Sequence, residues 1–340
     1  MPITAVVILN FNGKKYLEKF LPTLIQFTNT AEIIIIDNAS TDDSLEWLGE
    51  NYPNLKTIIL DKNYGFAGGY QLGLQKIEAD FFVLLNSDIE VTKDWLLPLT
   101  DFLEKNENVA AVQPKILSYH QKDYFEYAGA SGGFLDKFCY PFCRGRIFDT
   151  LEKDENQYEN IEKVFWATGA CLVIKKEAYW KARGLDVDFF AHFEEIDLCW
   201  RLQNVNYEIF CIPESKVYHV GGGTLAQESS FKTFLNFRNN LILITKNHPS
   251  FLWILIVRFF LDMLAVGLHL KKGKFKNSWA IIKAYFQFYW AFFHHYKKRK
   301  LLPRKKTKNL KGFFHQSIAW KYFIQNKKKW NEIYTNFKKK

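Results

Sequence analysis

Between residues 4 and 88 the chain alternates short apolar runs with stretches of helical spacing, and the runs give way to polar side chains. The runs are "TAVVILN" (4–10), "EIIIID" (32–37), "LKTIIL" (55–60) and "FFVLLNSD" (81–88). Apolar runs of this length without alternation read as strands buried on both faces. Between them lie "LEKFLPTLIQF" (17–27), helical in spacing despite Pro22, then "STDDSLEWLGEN" (40–51) and "GFAGGYQLGLQKI" (65–77). The second of these opens with capping chemistry, Ser40 or Thr41 ahead of acids in a first turn. Strands alternating with helices dictate an α/β fold with a doubly wound, mostly parallel sheet.

The stretch 116–165 is less regular and carries "GASGGF" and "CRGR". Regular patterning then returns. "ACLVIKKEAYWKARG" (170–184) reads as a strand and a helix, "FEEIDLCWRLQNVN" (193–206) as a helix, "EIFCIP" (208–213) as a strand and "FKTFLNFRNNLILITKNH" (231–248) as a helix. "FLWILIVRFFLDMLAVGLHL" (251–270) is apolar enough to suggest a transmembrane helix, but Arg258 and Asp262 fall mid-segment. Each costs about 2.5–3.5 kcal/mol at a bilayer centre. A helix lying in the membrane interface or half buried fits better, with "AYFQFYWAFFHHYKKRK" (284–300) as a second surface element.

The 340 residues allow one large domain with an appendage, or two domains. The division expected is a body over 1–245 and a basic, aromatic helical extension over 246–340. From residue 271 onward there are 21 Lys and Arg against one acid, Glu332, whereas the chain as a whole carries only +10. The body is therefore acidic and the tail strongly basic, suited to an anionic membrane surface; nucleic acid has no role for an acidic, metal-using body. Five cysteines without C-x-x-C spacing point to free thiols of a reducing compartment. The opening "MPITAVVILNFNG" reads as a first strand rather than a signal peptide.

Polar residues recur where the carboxyl edge of the sheet is expected: Asn10-Phe11-Asn12, Asp37-Asn38-Ala39-Ser40, Asn63-Tyr64-Gly65 and Asn86-Ser87-Asp88. Ligands of open α/β sheets sit at that edge. No G-x-G-x-x-G and no Walker loop is present. An Asp after strand two can accept a hydrogen bond from a base or ribose. Asp88, with no basic neighbour, suits a hard divalent cation that neutralises a diphosphate. A second group, "HFEEIDLCWR" (192–201), opens a helix with Glu194 and Glu195, and one of these carboxylates can serve as a general base. Asp197 and Arg201 are spaced to pair along the helix. In "KVYHVGGG" (216–223), His219 can join Asp88 on one metal, and the glycines can admit a phosphate.

In this order, "VVILNFNG", "IIIIDNASTDDS", "NYGFAGGYQLGL", "LLNSD", "WATGACLVIKKEAY", "FFAHFEEIDLCWRL" and "VYHVGGGT" resemble glycosyltransferase family 2, enzymes of the GT-A fold, and most of all its bacterial rhamnosyltransferase-like branch. The resemblance covers about residues 3–245. It implies that Phe11, Asp37, Asn63, Ser87 and Asp88 serve the nucleotide, and that Asp88 and His219 hold Mg²⁺ or Mn²⁺. It further implies that Glu195, or its neighbour Glu194, is the base, and that Trp166, Gly169 and Arg201 face the donor or acceptor sugar. Two positions depart from the family pattern: Glu195 stands where an Asp is usual, and Asn86 replaces the first acid of D-x-D. The implied activity is inverting transfer from a dTDP-, UDP- or GDP-sugar to a lipid-linked glycan in polysaccharide or O-antigen assembly. The implied location is the cytoplasmic side of the cell membrane. A nucleotide-binding or nucleotidyl-transfer protein on a similar sheet is the alternative.

Overall fold

The computed structural model describes residues 2–221 and 229–334. β1 (Thr4–Asn10), α1 (Lys14–Phe27), β2 (Glu32–Asp37), α2 (Ser44–Asn51), β3 (Lys56–Ile59), α3 (Gly65–Gly73) and β4 (Phe81–Leu85) follow one another as the periodicity predicts. Pro22 is tolerated on the solvent side of α1. The cap expected at Ser40 or Thr41 does not form, because α2 begins later. The Asp42 carboxylate accepts from the Ser44 amide, while the Ser40 hydroxyl accepts from the Asn12 amide and from Asn10 Nδ2. Those hydroxyls tie the end of β1 to the end of β2 instead.

After β5 (Ile89–Val91), α4 (Leu97–Lys105) and β6 (Val109–Ser118), the irregular stretch resolves into short strands. These are β7 (Gly133–Asp136), β8 (Pro141–Cys143), β9 (Arg146–Ile147), β10 (Thr150–Leu151) and β11 (Glu162–Lys163). Then come β12 (Cys171–Lys175), α5 (Lys176–Lys181), α6 (Glu194–Asn204), β13 (Glu208–His219) and α7 (Ser230–Asn247). The main sheet has the order β11-β13-β6-β12-β4-β1-β2-β3, with β5 on the far half of β13. β1 pairs in parallel with β2 and β4, β2 with β3, and β6 with β13. β12 lies antiparallel between β4 and β6, so the sheet is mostly parallel with one reversed strand in its middle. That reversal brings the start of β12 to the carboxyl edge, where the Asn86 amide donates to the Ala170 carbonyl at 2.9 Å.

Alternate residues of the central strands enter two separate cores. Val7, Ile34, Ile36 and Leu84 pack toward α3, α6 and α7, whereas Val6, Ile8, Ile35 and Val83 pack toward α1, α2 and α4. Helices on both faces are why these runs show no polar alternation.

The C-terminal region continues through α8 (Phe251–Lys271), α9 (Phe275–Trp290), α10 (Phe292–Lys300), β14 (Phe313–Phe314) and α11 (Trp330–Tyr334). It is less separate than a division at residue 245 implies. That boundary falls inside α7, and β14 adds in parallel to β7 as the edge of a second sheet, β10-β9-β8-β7-β14. The Ile318 amide donates to Asp136 Oδ2, the Lys311 amide to Gln203 Oε1 and the Trp330 amide to Glu152 Oε1. Backbone donors that would otherwise be orphaned are thus paired with buried acceptors of the body.

α8 is long and apolar enough to cross a membrane by length and composition. The two charged residues in its middle explain why it lies against the body. Arg258 and Asp262 are 2% and 0% exposed, paired at 3.0 Å, with Tyr285 donating to Asp262 at 2.8 Å. The opposite face of α8 presents Leu252, Trp253, Ile256, Phe260 and Leu264 outward, and α9 and α10 add Trp279, Phe286, Trp290 and Phe293.

Candidate active site

Parallel pairing sets the first group of residues at one edge. Asn10 lies opposite Asp37 in the β1–β2 register, and Ile8 opposite Leu85 in β1–β4. Asp37 is fully buried and accepts from Asn10 Nδ2 at 3.0 Å and the Ser40 amide at 2.9 Å. It holds the turn after β2. Asn38 donates to Asn63 Oδ1 and to the Gly65 carbonyl, and Asn63 Oδ1 also accepts from the Gly65 amide, so Asn63 fixes the entry to α3. Phe11 and Ser87 stay half-buried at this edge.

Asp88 is buried, with His219 Nε2 3.2 Å from its Oδ1. Antiparallel pairing of β13 with β5 sets His219 opposite Ile89, and so beside Asp88. On the other side of the ring, Nδ1 lies 3.1 Å from Glu126 Oε2. Burial alone would push the imidazole down, but the two carboxylates outweigh it and raise its pKa to about 10. Burial likewise works against Asp88, and the imidazolium more than compensates, holding the carboxyl below its usual range. A carboxylate and an imidazole nitrogen are a donor pair that fits Mg²⁺ or Mn²⁺, with the ring proton lost on binding. Glu126 is placed to orient the ring from its second nitrogen.

Glu126 escaped the sequence reading because "YFEYAG" carries no periodicity and no ligand spacing. Its one signal lies in Gly221: at φ +74°, with a Cβ there only 2.7 Å from Glu126 Oε1, this position favours glycine. Gly222 and Gly223, expected beside a phosphate, lie outside the described residues.

The second group adjoins the first through β12. Gly169 is one residue before the Ala170 that bonds Asn86, and a Cβ at Gly169 would sit 3.9 Å from the Glu195 Cβ and 3.2 Å from the Phe66 ring. The absence of a side chain therefore leaves room in front of Glu195. Burial pushes Glu195 up to about 7, against the helix amides that favour its ionised form. Glu194 is more deeply buried, and burial together with the neighbouring Glu195 charge raises its pKa well above the ordinary range. Each has one oxygen with no hydrogen-bond partner. The two carboxyls share one desolvated site and titrate as a pair.

The chain leading into them is strained. Phe190, His192 and Phe193 have φ of +63°, +68° and +74°. Asn239, fully buried on α7, donates to the carbonyls of Phe189, Ala191 and His192 at 2.9, 2.8 and 2.7 Å.

Two expected site residues lie elsewhere. The Trp166 indole is buried in the core and donates to the Phe134 carbonyl at 3.0 Å. Arg201 is buried on α6, where Nε meets Asp197 Oδ2 at 2.8 Å and Nη1 meets the Ala182 carbonyl. Both are buried, because the faces that carry them pack inward. The Asp197–Arg201 pair itself forms as its spacing predicts.

The model of glycosyl transferase family 2 matches residues 5–182, more than half of the chain. This chain belongs to glycosyl transferase family 2. It is a glycosyltransferase of the GT-A fold. Among curated relatives, the low-salt glycan biosynthesis hexosyltransferase Agl10 of Haloferax volcanii is 22% identical over 243 residues, covering 70% of this chain and 74% of its own. The N-acetylglucosaminyl-diphospho-decaprenol L-rhamnosyltransferase of Mycobacterium tuberculosis is 22% identical over 266 residues, covering 73% and 86%. Among solved structures, GalNAc-T7 with UDP, GalNAc and Mn²⁺ aligns with a TM-score of 0.58 at 15% identity, covering 87% of this chain and 58% of that one. The mannosyltransferase PcManGT of Pyrobaculum calidifontis, in complex with GDP-Man and Mn²⁺, aligns at 0.50 and 13% identity, covering 95% and 88%. At these identities the structural likeness speaks for the fold.

Proposed function

We propose that this family 2 glycosyltransferase moves a sugar, with inversion, from a nucleoside diphosphate to a hydroxyl of a lipid-linked glycan at the cytoplasmic face of the cell membrane. The observation that carries the reading is the pairing of two unlike acidic sites on one edge. Asp88 is held ionised beside His219, whereas Glu195 is poised near neutrality beside Gly169. Phe11, Asn63 and Ser87 line the edge where the nucleotide lies, and Asp37 supports it from below. Asp88 and His219 would hold Mg²⁺ or Mn²⁺, which supplies positive charge to the departing diphosphate.

Glu195 accepts the proton of the acceptor hydroxyl as that oxygen bonds to the anomeric carbon. The bond from that carbon to the diphosphate oxygen breaks, and its electron pair leaves with the nucleotide. A single displacement inverts the centre, and a base with a pKa near 7 is suited to it. Burial and the Glu195 charge raise the pKa of Glu194 too, which favours its neutral form and spares its partner a second full charge. A nucleotidyl transfer would leave this acidic pair without work.

A rhamnosyl donor and a diphospholipid acceptor are the readings that the mycobacterial relative favours. The outward apolar faces of α8 to α10 and the basic tail favour attachment to an anionic leaflet. The test is a panel of dTDP-, UDP- and GDP-sugars with a lipid-linked acceptor, following metal-dependent release of nucleoside diphosphate and the anomeric configuration by NMR. A retained configuration, or no release with any donor, would overturn the proposal.

A further inference from the structure

A cavity of about 180 Å³ opens between α7, α9 and α10, outside the site described above. Arg238, Gln287, His294, His295 and Asp188 line it. The charges around it do not balance. Asp186 is paired with Lys246 and Lys298, Asp188 with Lys298, His294 and His295, and Asp197 with Lys246 and Arg201. Leaving the two histidines aside, the three carboxylates meet three permanent cations, Lys246, Lys298 and Arg201, and Arg238 is a fourth. Among the described residues no carboxylate lies within ion-pair distance of it. Its partners are neutral oxygens: the carbonyls of Asp188 and Phe189, Asn239 Oδ1 and, at 3.5 Å, Gln287 Oε1.

A half-buried guanidinium that meets only neutral acceptors keeps its capacity to bind an anion. Burial depresses its pKa, with the Asp188 charge as the opposing influence. His295, only 5% exposed, turns Nδ1 toward the same wall, 3.4 Å from Asp188 Oδ2. Asp188, His294 and His295 are close enough together to chelate a cation. However, Lys298 already sits 2.6 Å from the same carboxylate oxygen, and Arg238 adds a second positive charge. The balance of charge favours an anion.

The position of the cavity narrows its chemistry. Trp290 and Phe293, beside lining residues Ala291 and His294, are 93% and 74% exposed on the outward face. The inner wall is Asp188, in the segment that leads to Glu194 and Glu195. We propose that this cavity binds a phosphate group presented at the membrane surface. The lipid diphosphate of the acceptor and an anionic phospholipid headgroup are the two sources of that chemistry. With the acceptor as source, the inference rests on the proposed function: a diphosphate held here would fix the glycan relative to Glu195.

The test uses the full chain with farnesyl diphosphate as probe, the donor site being saturated with nucleoside diphosphate and Mn²⁺. In parallel, vesicles of phosphatidylcholine are compared with and without phosphatidylglycerol. Arg238→Gln and His294→Glu should each weaken the phosphate-bearing probe at least ~10-fold, the scale of a lost charge-assisted bond. His294 is more than half exposed, so its replacement leaves the fold intact even where Arg238→Gln disturbs it. Loss confined to farnesyl diphosphate assigns the cavity to the acceptor, and loss confined to phosphatidylglycerol vesicles assigns it to the headgroup. Unchanged binding of both probes by His294→Glu would overturn the proposal. Nucleoside diphosphate binding, abolished by Asp88→Asn but not by these variants, reports separately on the donor site.

Discussion

Asp88 and His219, 131 residues apart in the chain, meet at 3.2 Å because β5 turns back from the end of β4 to pair with β13. The pairing sets an acid and an imidazole on the edge where parallel strands release their ends. Asp88→Asn keeps the shape and one acceptor oxygen but removes the charge. Metal-dependent nucleotide binding and transfer should be lost, while the melting temperature stays within a few degrees, since Glu126 still faces the ring. Near wild-type turnover in that variant would remove the metal role from Asp88.

The acidic pair makes a separable prediction. Glu195→Gln should lower kcat by at least about 10²-fold, the scale of a positioned base, with donor affinity nearly unchanged. Glu194→Gln should do less. Because the working form of Glu195 is the ionised one and its pKa is raised to about 7, kcat should climb as pH rises through that value. A profile already flat from pH 5 would place the base elsewhere.

Asn239 joins α7 to the strained approach to α6. Replacing it by Ala leaves the Ala191 and His192 carbonyls short of a donor, whereas the Phe189 carbonyl keeps Arg238 and the Ala191 amide; each lost bond costs about 1–3 kcal/mol where the group stays buried. Asn239→Ala should therefore lower the melting temperature and reduce kcat about 10-fold, with little change in nucleotide affinity. Asn239→Asp should be worse, because it sets a carboxylate against those same carbonyls. Parallel thermal melts and kcat measurements check this. If melting falls while kcat per folded molecule is unchanged, Asn239 supports only the fold.

The order of the strands' elements was legible because buried parallel strands leave an unmistakable apolar run, and the polar residues after them are few enough to read. Glu194 and Glu195 were legible for the same reason, as acids opening a helix. Residue type alone does not give orientation, and the Trp166 and Arg201 side chains, expected beside the sugar, turn inward. α6 is buried on almost every side, so Arg201 has a core to pair in rather than a cleft to face. Glu126 and Asn239 lie in segments where nothing in the local pattern distinguishes a working polar residue from an ordinary one. β14 is two residues long, and no periodicity can announce a strand that short.

Arg258 and Asp262 turn inward and leave an apolar face of α8 outward, and the last prediction tests its attachment to a membrane. A deletion from residue 251 would also remove β14 and the pairs to Asp136, Gln203 and Glu152, so point substitutions give the cleaner test. Trp253, Phe260 and Trp290 are exposed and line no part of the candidate site. Burying an apolar side chain contributes about 1.5–3 kcal/mol, so even partial insertion of three gives several kcal/mol. The triple change to Ser should shift the protein from the membrane to the soluble fraction by at least about 10²-fold, with melting temperature and donor hydrolysis unchanged. Salt should act on the other component. Raising ionic strength to 1 M shortens the screening length from about 10 Å to about 3 Å, so a wash should release the triple variant fully and the parent chain only in part. Flotation with vesicles containing phosphatidylglycerol measures both. A parent chain that ignores such vesicles at low salt would rule out the attachment.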